Sequence, residues 1–394
     1  MYFNKQRLRL YLSALLIFQI ATVAGHFSTA LAGKVDFRTF YTAAHMVNSG
    51  HLYDYQAELS AQNALVSPNR YALPFMFPPY TALLFAPFAW VSYKVGYWIF
   101  FALNLGLCAA SVAVMRPYCQ NLRARWTLAP ALLFLSFMPL GSALQFGQVS
   151  VFLLLLYCAC FAAVQSERPY LAGIFLSLAL IKFQIVLPIV LLFLIWRQWR
   201  FVAGFVSGAA ALTLISIRIT GLKGLFAYLH SLVFMASQTG NETKFAMFSV
   251  QMADLYGFFH TLLPGPLGYV LTIVGSLAVM VWAATRKPSL PLALLAGLLV
   301  AFHLYLYDLT LLLLPIVLIF NTELDAAIHN RPALYASGFM VLLPFSEFVI
   351  TQHFQYLFAI PVAVLFIFLG PVGELPSTSL PRAAPANQRT FTTR

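Results

Sequence analysis

Apolar runs recur along almost the whole chain, and each long one must find a fold in which its backbone polar groups bond to one another. A run of about 20 apolar residues is the length of a helix that crosses a bilayer. Such runs fall at roughly 10–32, 95–115, 127–145, 149–165, 169–182, 183–196, 201–217, 266–285, 289–304, 306–320, 332–350 and 355–371, about twelve in all. Charged residues make up only 9% of the 394 against 61% hydrophobic, and mean hydropathy is +0.83. The expected fold is an all-α polytopic membrane protein, with residues 1–371 as one integral-membrane domain. Residues 372–394, rich in Pro, Ala, Thr and Arg, read as a disordered cytoplasmic tail.

Two segments complicate the count. The pair 169–182 and 183–196 is short for two crossings, but basic residues flank it on both sides, which suits a tight hairpin with Lys182 at its tip. Segment 76–92 is apolar yet short and bounded by prolines, so it is expected to be re-entrant or interfacial rather than spanning. The N-terminus carries Lys5, Arg7 and Arg9 before an apolar stretch ending near Ala30-Leu31-Ala32, a pattern shared with signal peptides. That stretch is about long enough to span a bilayer and is read as a retained first span.

Charge then orients the chain. With the N-terminus inside, the cytoplasmic segments hold 15 of the 23 lysines and arginines and 4 of the 11 acids. This is the asymmetry that the positive-inside rule requires, and it accounts for the net charge of +12 without nucleic acid. Both termini are then cytoplasmic, and two large loops, about 33–94 and 218–265, face outward from a plasma (inner) membrane. Their aromatic-rich stretches Phe40 to Leu52 and Leu225 to Met235 are expected in the interface. Cys108, Cys119, Cys158 and Cys160 lack metal-site spacing and read as reduced packing residues.

Ionisable groups at membrane depth are costly and are functional candidates. Under this topology they meet at the outer edge. Asp36 and Arg38 follow the first span, in VDFRTFY. Gln148 lies in the turn after FG, Lys182 in ALIKFQ, and His303 and Asp308 in HLYLYD. Each also has a purely structural reading. Asp36 can pair with Arg38 or Lys34, Lys182 can snorkel, Asp308 can cap the helix after it, and His303 and Gln148 can be helix-end or turn residues. The sequence has no nucleophile elbow, zinc-protease motif, P-loop or cysteine cluster. What remains is a carboxylate suited to general base work and cations suited to a phosphate, Lys182 as a point charge and Arg38 as a planar fork. That set describes glycosyl transfer from a lipid-phosphate sugar.

The ordered segments DFRTFYTAAHMVNSGHLYDY, FPPYTALLFAPFAWV, FGQVSVFLLLL, LAGIFLSLALIKFQ and HLYLYDLTLLLLP resemble those of glycosyltransferase family 87. That family comprises polyprenyl-phosphate-mannose-dependent mannosyltransferases of the GT-C class. Phe40-Tyr41 stands where the family pattern has two tyrosines, and Phe183 follows the lysine where proline or a small residue is usual. The resemblance implies a catalytic base at Asp36 and donor-phosphate ligands at Arg38, Lys182 and His303. It implies positioning of sugar or acceptor by Tyr41, Tyr53, Gln148 and Asp308. Neither metal nor cofactor is expected. The partners would be a polyprenyl-phosphate sugar, a lipid or glycan acceptor and membrane lipids, with no nucleic acid. The alternatives are a lipid-linked saccharide transporter or flippase and a polysaccharide polymerase or ligase.

Overall fold

A computed structural model describes residues 5–237, 248–323, 331–342 and 352–374. The tail from residue 375, residues 238–247 of the second loop and residues 343–350 of the run at 332–350 lie outside the described residues. Among those described, regular structure is helical apart from one bridge between Ser289 and Glu374.

The first helix, α1 (Lys5–Leu31), leads through a turn at Gly33 into three short helices: α2 (Phe37–Met46), α3 (Tyr55–Leu65) and α4 (Pro79–Phe85). The long α5 (Tyr93–Met115) follows, then α6 (Gln120–Arg125), α7 (Ala129–Leu135) and α8 (Met138–Phe146). Pro139 stands at the start of α8, where a proline is tolerated, and α7 and α8 are bent by 52° at their junction. Next come α9 (Ser150–Gln165), α10 (Pro169–Leu178), α11 (Phe183–Ile195) and the 39-residue α12 (Trp199–Ser237). Then follow α13 (Leu255–Leu262), α14 (Pro266–Ala284), α15 (Leu290–Leu299), α16 (Leu313–Glu323), α17 (Arg331–Leu342) and α18 (Ala359–Phe368).

Among the described residues, five helical runs can each cross a membrane by length and composition, or six if α7 and α8 form one bent span. The runs at 149–165, 289–304, 306–320 and 355–371 form shorter apolar helices. One of the five, Pro169–Ile195, is not straight. A straight helix would separate Gly173 from Phe193 by about 30 Å. Both instead reach Phe201 near the start of α12. The Gly173 backbone abuts the Phe201 carbonyl, and the Phe193 ring stacks on the Phe201 ring with centroids 3.9 Å apart. The run therefore doubles back at the 3-10 turn Ala179–Lys182.

Contacts between distant segments mark the two ends of the bundle. At one end Arg9 lies over Trp126, Asn321 accepts from the Asn121 and Leu122 amides, and Lys287 pairs with Glu374 at 3.0 Å. At the other, Tyr93 donates to the Ala30 carbonyl, and Asp36, Gln148, Lys182 and Asp308 gather. The chain breaks its helices where these groups meet.

The two long loops differ from expectation in one respect. The stretch starting at Phe40 does not lie on a lipid surface: nine of the ten residues of α2 are buried. Phe37 alone packs against Tyr41, Phe88, Tyr93, Tyr97 and Phe100. An aromatic-rich helix with no exposed face is a core element, whatever its hydrophobic pattern. Helix α12 bends at Gly221, where φ is 69° and ψ 176°. Its C-terminal limb packs along α4 and leaves Phe226, Leu229 and Val233 exposed, an apolar face suited to lipid. Segment 76–92 forms α4 and the 3-10 helix Ala86–Trp90, with Leu83, Leu84 and Trp90 exposed.

The crossing of α10 and α12 depends on small residues: side-chain atoms at Gly173 or Gly204 would collide with the Phe201 or Tyr170 carbonyl. Gly173→Val is expected to lower stability by about 1–3 kcal/mol through overpacking. Thermal unfolding in detergent should show a lower midpoint for Gly173→Val, with little change for Gly25→Ala, which meets open space.

Candidate active site

The residue types that suit phosphate and hydroxyl chemistry converge because three chain breaks occur at one end of the bundle. The first follows α1. Gly33, at φ 75°, turns the chain off the helix, and Asp36 takes the N-cap position of α2 without spending its carboxylate on the cap. The second follows α8. Gly147 is left-handed, at φ 63°, and faces the Phe37 side chain so closely that any larger residue would collide with it. This approach sets Gln148 beside Asp36: the Gln148 amide Nε2 donates to Asp36 Oδ2 at 2.6 Å. Tyr307 borders the same cavity as Asp36. Burial raises the Asp36 pKa above the usual carboxylate range; Gln148 and the Lys182 charge oppose this, and Asp308 adds to it.

The third break is the turn at Lys182. Its ammonium is buried and held by Asp308, with Nζ 2.9 Å from Oδ1 and 3.0 Å from Oδ2. Ser150, at the start of α9, donates to Asp308 Oδ1 at 2.8 Å. The Tyr305 amide approaches Oδ2 at 3.4 Å. Asp308 thus both caps the 3-10 helix Leu306–Leu312 and pairs with Lys182. Lys182 does not snorkel. Its Nζ also lies 4.8 Å from the centroid of the Tyr307 ring.

These groups border a cavity of about 400 Å³. Asp36, Gln148, Lys182, His303, Tyr305 and Tyr307 supply its polar wall, and Leu73, Pro74, Met76, Phe77 and Leu232 are among its apolar lining. Two buried polar atoms of lining residues, Gln148 Oε1 and His303 Nδ1, lack a protein partner. Gln184 Nε2 donates to the His303 carbonyl at 3.3 Å and fixes that turn.

Of the eight residues singled out from the sequence, Asp36, Gln148, Lys182 and His303 line the cavity, and Asp308 stands behind Lys182. Arg38, Tyr41 and Tyr53 are not brought there. The Arg38 guanidinium is 1% exposed and points into the loop. Its Nε donates to Gln62 Oε1 at 2.9 Å, its Nη1 to the Gly33 carbonyl and Ser67 Oγ, and its Nη2 to Asn63 Oδ1 and the Ser67 carbonyl. With its donors committed, Arg38 has a structural task. Tyr41 donates to the Val91 carbonyl and Tyr53 to the Phe77 carbonyl, both at 2.8 Å.

Sequence reading missed Ser150, Tyr305 and Tyr307. A signal for the tyrosines was present, since His303, Tyr305 and Tyr307 alternate in HLYLYD, and in extended chain alternate residues share a side. It also missed the groups that hold residues 72–77 against the cavity. Gln62 Nε2 donates to the Leu73 carbonyl at 2.7 Å and its Oε1 accepts from the Leu73 amide at 3.0 Å. Glu58 Oε2 accepts from the Phe75 amide at 2.9 Å. Asp254, fully buried and pushed up to about 7 by that burial, caps α13 through the Gly257 amide. Its neighbour Ala253 donates to the Leu304 carbonyl beside His303. Among the described residues no cluster of three or more His, Cys, Asp or Glu marks a metal site.

The family model for glycosyltransferase family 87 matches residues 75–315, which include Gln148, Lys182, His303, Tyr307 and Asp308; the chain belongs to that family. It is 31% identical over 170 residues to a polyprenol-phosphate-mannose-dependent alpha-(1-2)-phosphatidylinositol mannoside mannosyltransferase of Mycobacterium tuberculosis, covering 39% of this chain and 36% of that one. It is 29% identical over 187 residues to a protein of the same description from Mycolicibacterium smegmatis, covering 42% and 40%. The chain thus matches well under half the length of these curated relatives. No solved structure matches it.

Glu58 offers a test of how the cavity wall is held. Burial pushes its carboxyl up to about 8 from 4.5. The folded protein therefore holds a proton that the unfolded chain gives up, and this contribution to stability is full below 4.5 and is lost as pH rises towards 8. Unfolding followed from pH 4 to 9 should show stability declining across that window in wild type and a flatter profile in Glu58→Gln. Protection factors at residues 72–77, corrected for the intrinsic pH dependence of exchange, should fall with pH more steeply in wild type than in Glu58→Gln.

Proposed function

We propose that the chain is a membrane glycosyltransferase that moves a hexose, mannose by analogy with the names of its relatives, from a polyprenyl-phosphate sugar to a lipid or glycan acceptor. The observation that carries this reading is the cavity itself. One carboxylate held by the neutral Gln148 amide and one lysine line the same cavity, whose other lining is largely apolar, in a chain of family 87.

In this mechanism Asp36 removes the proton of the acceptor hydroxyl. The acceptor oxygen forms its bond to the anomeric carbon as the bond to the phosphate oxygen breaks, and the electron pair leaves with the polyprenyl phosphate. Attack from the opposite face inverts the centre, so a β-linked donor gives an α-linked product. Lys182 faces the leaving phosphate, whose negative charge grows as the bond breaks. His303, through its unbonded Nδ1, and Gln148, through its unbonded Oε1, supply contacts to sugar or phosphate. Asp308 holds Lys182 rather than the sugar. The step as written uses no metal and no cofactor.

The topology that fits this reading has about twelve crossings, with the short helices α9, α15, α16 and α18 also at membrane depth. Both termini are cytoplasmic, and the site lies on the outer face of the plasma membrane. Arg9 and Lys287, with the contacts of residues 121 and 122, lie at the end opposite the cavity, and the positive-inside rule favours a cytoplasmic side for such basic segments.

Transfer from labelled polyprenyl-phosphate mannose in vesicles carrying the purified protein tests the proposal, with a lipid extract as acceptor. Asp36→Asn is expected to cut turnover by about 10²–10⁴-fold while leaving the thermal unfolding midpoint near that of wild type. Because Asp36 must be ionised and burial raises it above 3.8, activity should fall with acid at a pH above the usual carboxylate range. Equal turnover by wild type and a folded Asp36→Asn would refute Asp36 as the base.

A further inference from the structure

Phe302 brings an aromatic ring to the cavity on a backbone conformation that favours glycine. Its φ is 62°, in the left-handed region where the Cβ of a bulky residue crowds its own backbone. Among the described residues, Glu167 and Arg197 also have positive φ, and both close helices. The amide after each bonds back into the last turn, Arg168 to the Ala163 carbonyl at 2.8 Å and Gln198 to the Phe193 carbonyl at 2.9 Å. Phe302 has no such task, because α15 is already closed at Val300, whose amide bonds to the Ala296 carbonyl. The ring lines the cavity and is 37% exposed. It is backed by Tyr256, at a centroid distance of 4.3 Å, and Tyr256 is itself braced by His260 at 5.1 Å and Tyr269 at 5.8 Å. The turn is pinned just beyond the ring, where Gln184 Nε2 donates to the His303 carbonyl and the Ala253 amide to the Leu304 carbonyl.

We propose that Phe302 is the stacking platform for a hexose ring in the cavity, its strained backbone held in place by the packing around it. The inference rests on the reading of the chain as a glycosyltransferase. A pyranose carries C–H bonds on one face, polarised by its oxygens, and these suit the negative face of an aromatic ring. The hydroxyls around the sugar's edge need polar partners. Asp36, Gln148 and His303 line the same cavity, and Gln148 Oε1 and His303 Nδ1 have no protein partner. An isoprenoid chain needs only apolar bulk, which Leu73, Pro74, Met76, Phe77 and Leu232 already supply. The hexoses of donor and acceptor both present such a face, so the test separates them.

Phe302→Leu keeps apolar bulk and removes the ring face; Phe302→Trp restores a ring face. In the vesicle assay Phe302→Leu should raise one KM about tenfold, that of the donor or that of the acceptor, and Phe302→Trp should recover it. Thermal unfolding in detergent reads donor binding without turnover, by comparing polyprenyl-phosphate mannose with polyprenyl phosphate. If the donor's hexose stacks on the ring, the extra midpoint shift given by the sugar should vanish in Phe302→Leu. If the acceptor's hexose does, that shift should persist and only the acceptor KM should rise. The shift given by polyprenyl phosphate should be the same in wild type and Phe302→Leu. Phe302→Gly and Phe302→Ala both remove the ring, but glycine adopts this φ freely. Both should bind hexose as weakly as Phe302→Leu, and the glycine variant should unfold at the higher temperature of the two.

Unchanged KM values for both substrates in a folded Phe302→Leu overturn the platform and leave the transferase reading standing. A loss of affinity for sugar-free polyprenyl phosphate in Phe302→Leu also overturns it, since the ring then serves the lipid chain. Equal unfolding midpoints for Phe302→Gly and Phe302→Ala overturn the strained turn as its support. A wild type that transfers no mannose and gains no midpoint shift from the sugar sinks the glycosyltransferase reading, and the platform with it.

Discussion

The site depends on one ion pair placed where an ion pair is expensive. Lys182 and Asp308 are both buried, their oxygens and nitrogen about 3 Å apart. Desolvating two charges costs several kcal/mol each and is repaid only when remaining hydrogen-bonding capacity is used. Here it is used: Ser150, the Tyr305 amide and the Tyr307 ring complete the shell. The pair joins the turn between α10 and α11 to the start of α9 and to the 3-10 helix before α16. Removing either partner leaves an unpaired buried charge, a loss of about 3–5 kcal/mol. The site's geometry and the association of these elements therefore rest on the same bond.

Much of this was legible in the chain. Apolar run lengths and the basic loops gave an all-α membrane protein with its polar groups collected at one end. They did so because lipid allows few solutions and because charge is scarce enough that each lysine or aspartate in an apolar run stands out. Lys182 in ALIKFQ and Asp308 in HLYLYD were visible for that reason. What they bond to was not, since the partners lie 126 residues apart in sequence and no local rule joins them.

Arg38 shows the limit most clearly. An arginine two residues after a candidate base reads as a phosphate ligand when its surroundings are unknown. Its acceptors come from Gly33 and from residues 62–67, a polar stretch that composition alone marks as loop. Once those acceptors are present, five donors are better satisfied inside the loop than in the cavity. Tyr41 and Tyr53 went the same way, each drawn off by a backbone carbonyl. Aromatic and cationic side chains near a site are ambiguous in sequence because the same hydrogen-bonding capacity serves scaffold and ligand equally well.

The extended segment at residues 72–77 has a different consequence. Its backbone is tied down by Gln62, Glu58, Thr39 and Tyr53, while the side chains of Leu73, Pro74, Met76 and Phe77 are left to face the cavity. Attachment and lining are thus carried by different atoms of the same six residues. Substitutions among the lining positions can reshape the space offered to an incoming molecule without disturbing the bonds that fix the segment or the charges opposite it. Members of a lineage built this way can diverge in what they accept while the reacting groups stay where they are.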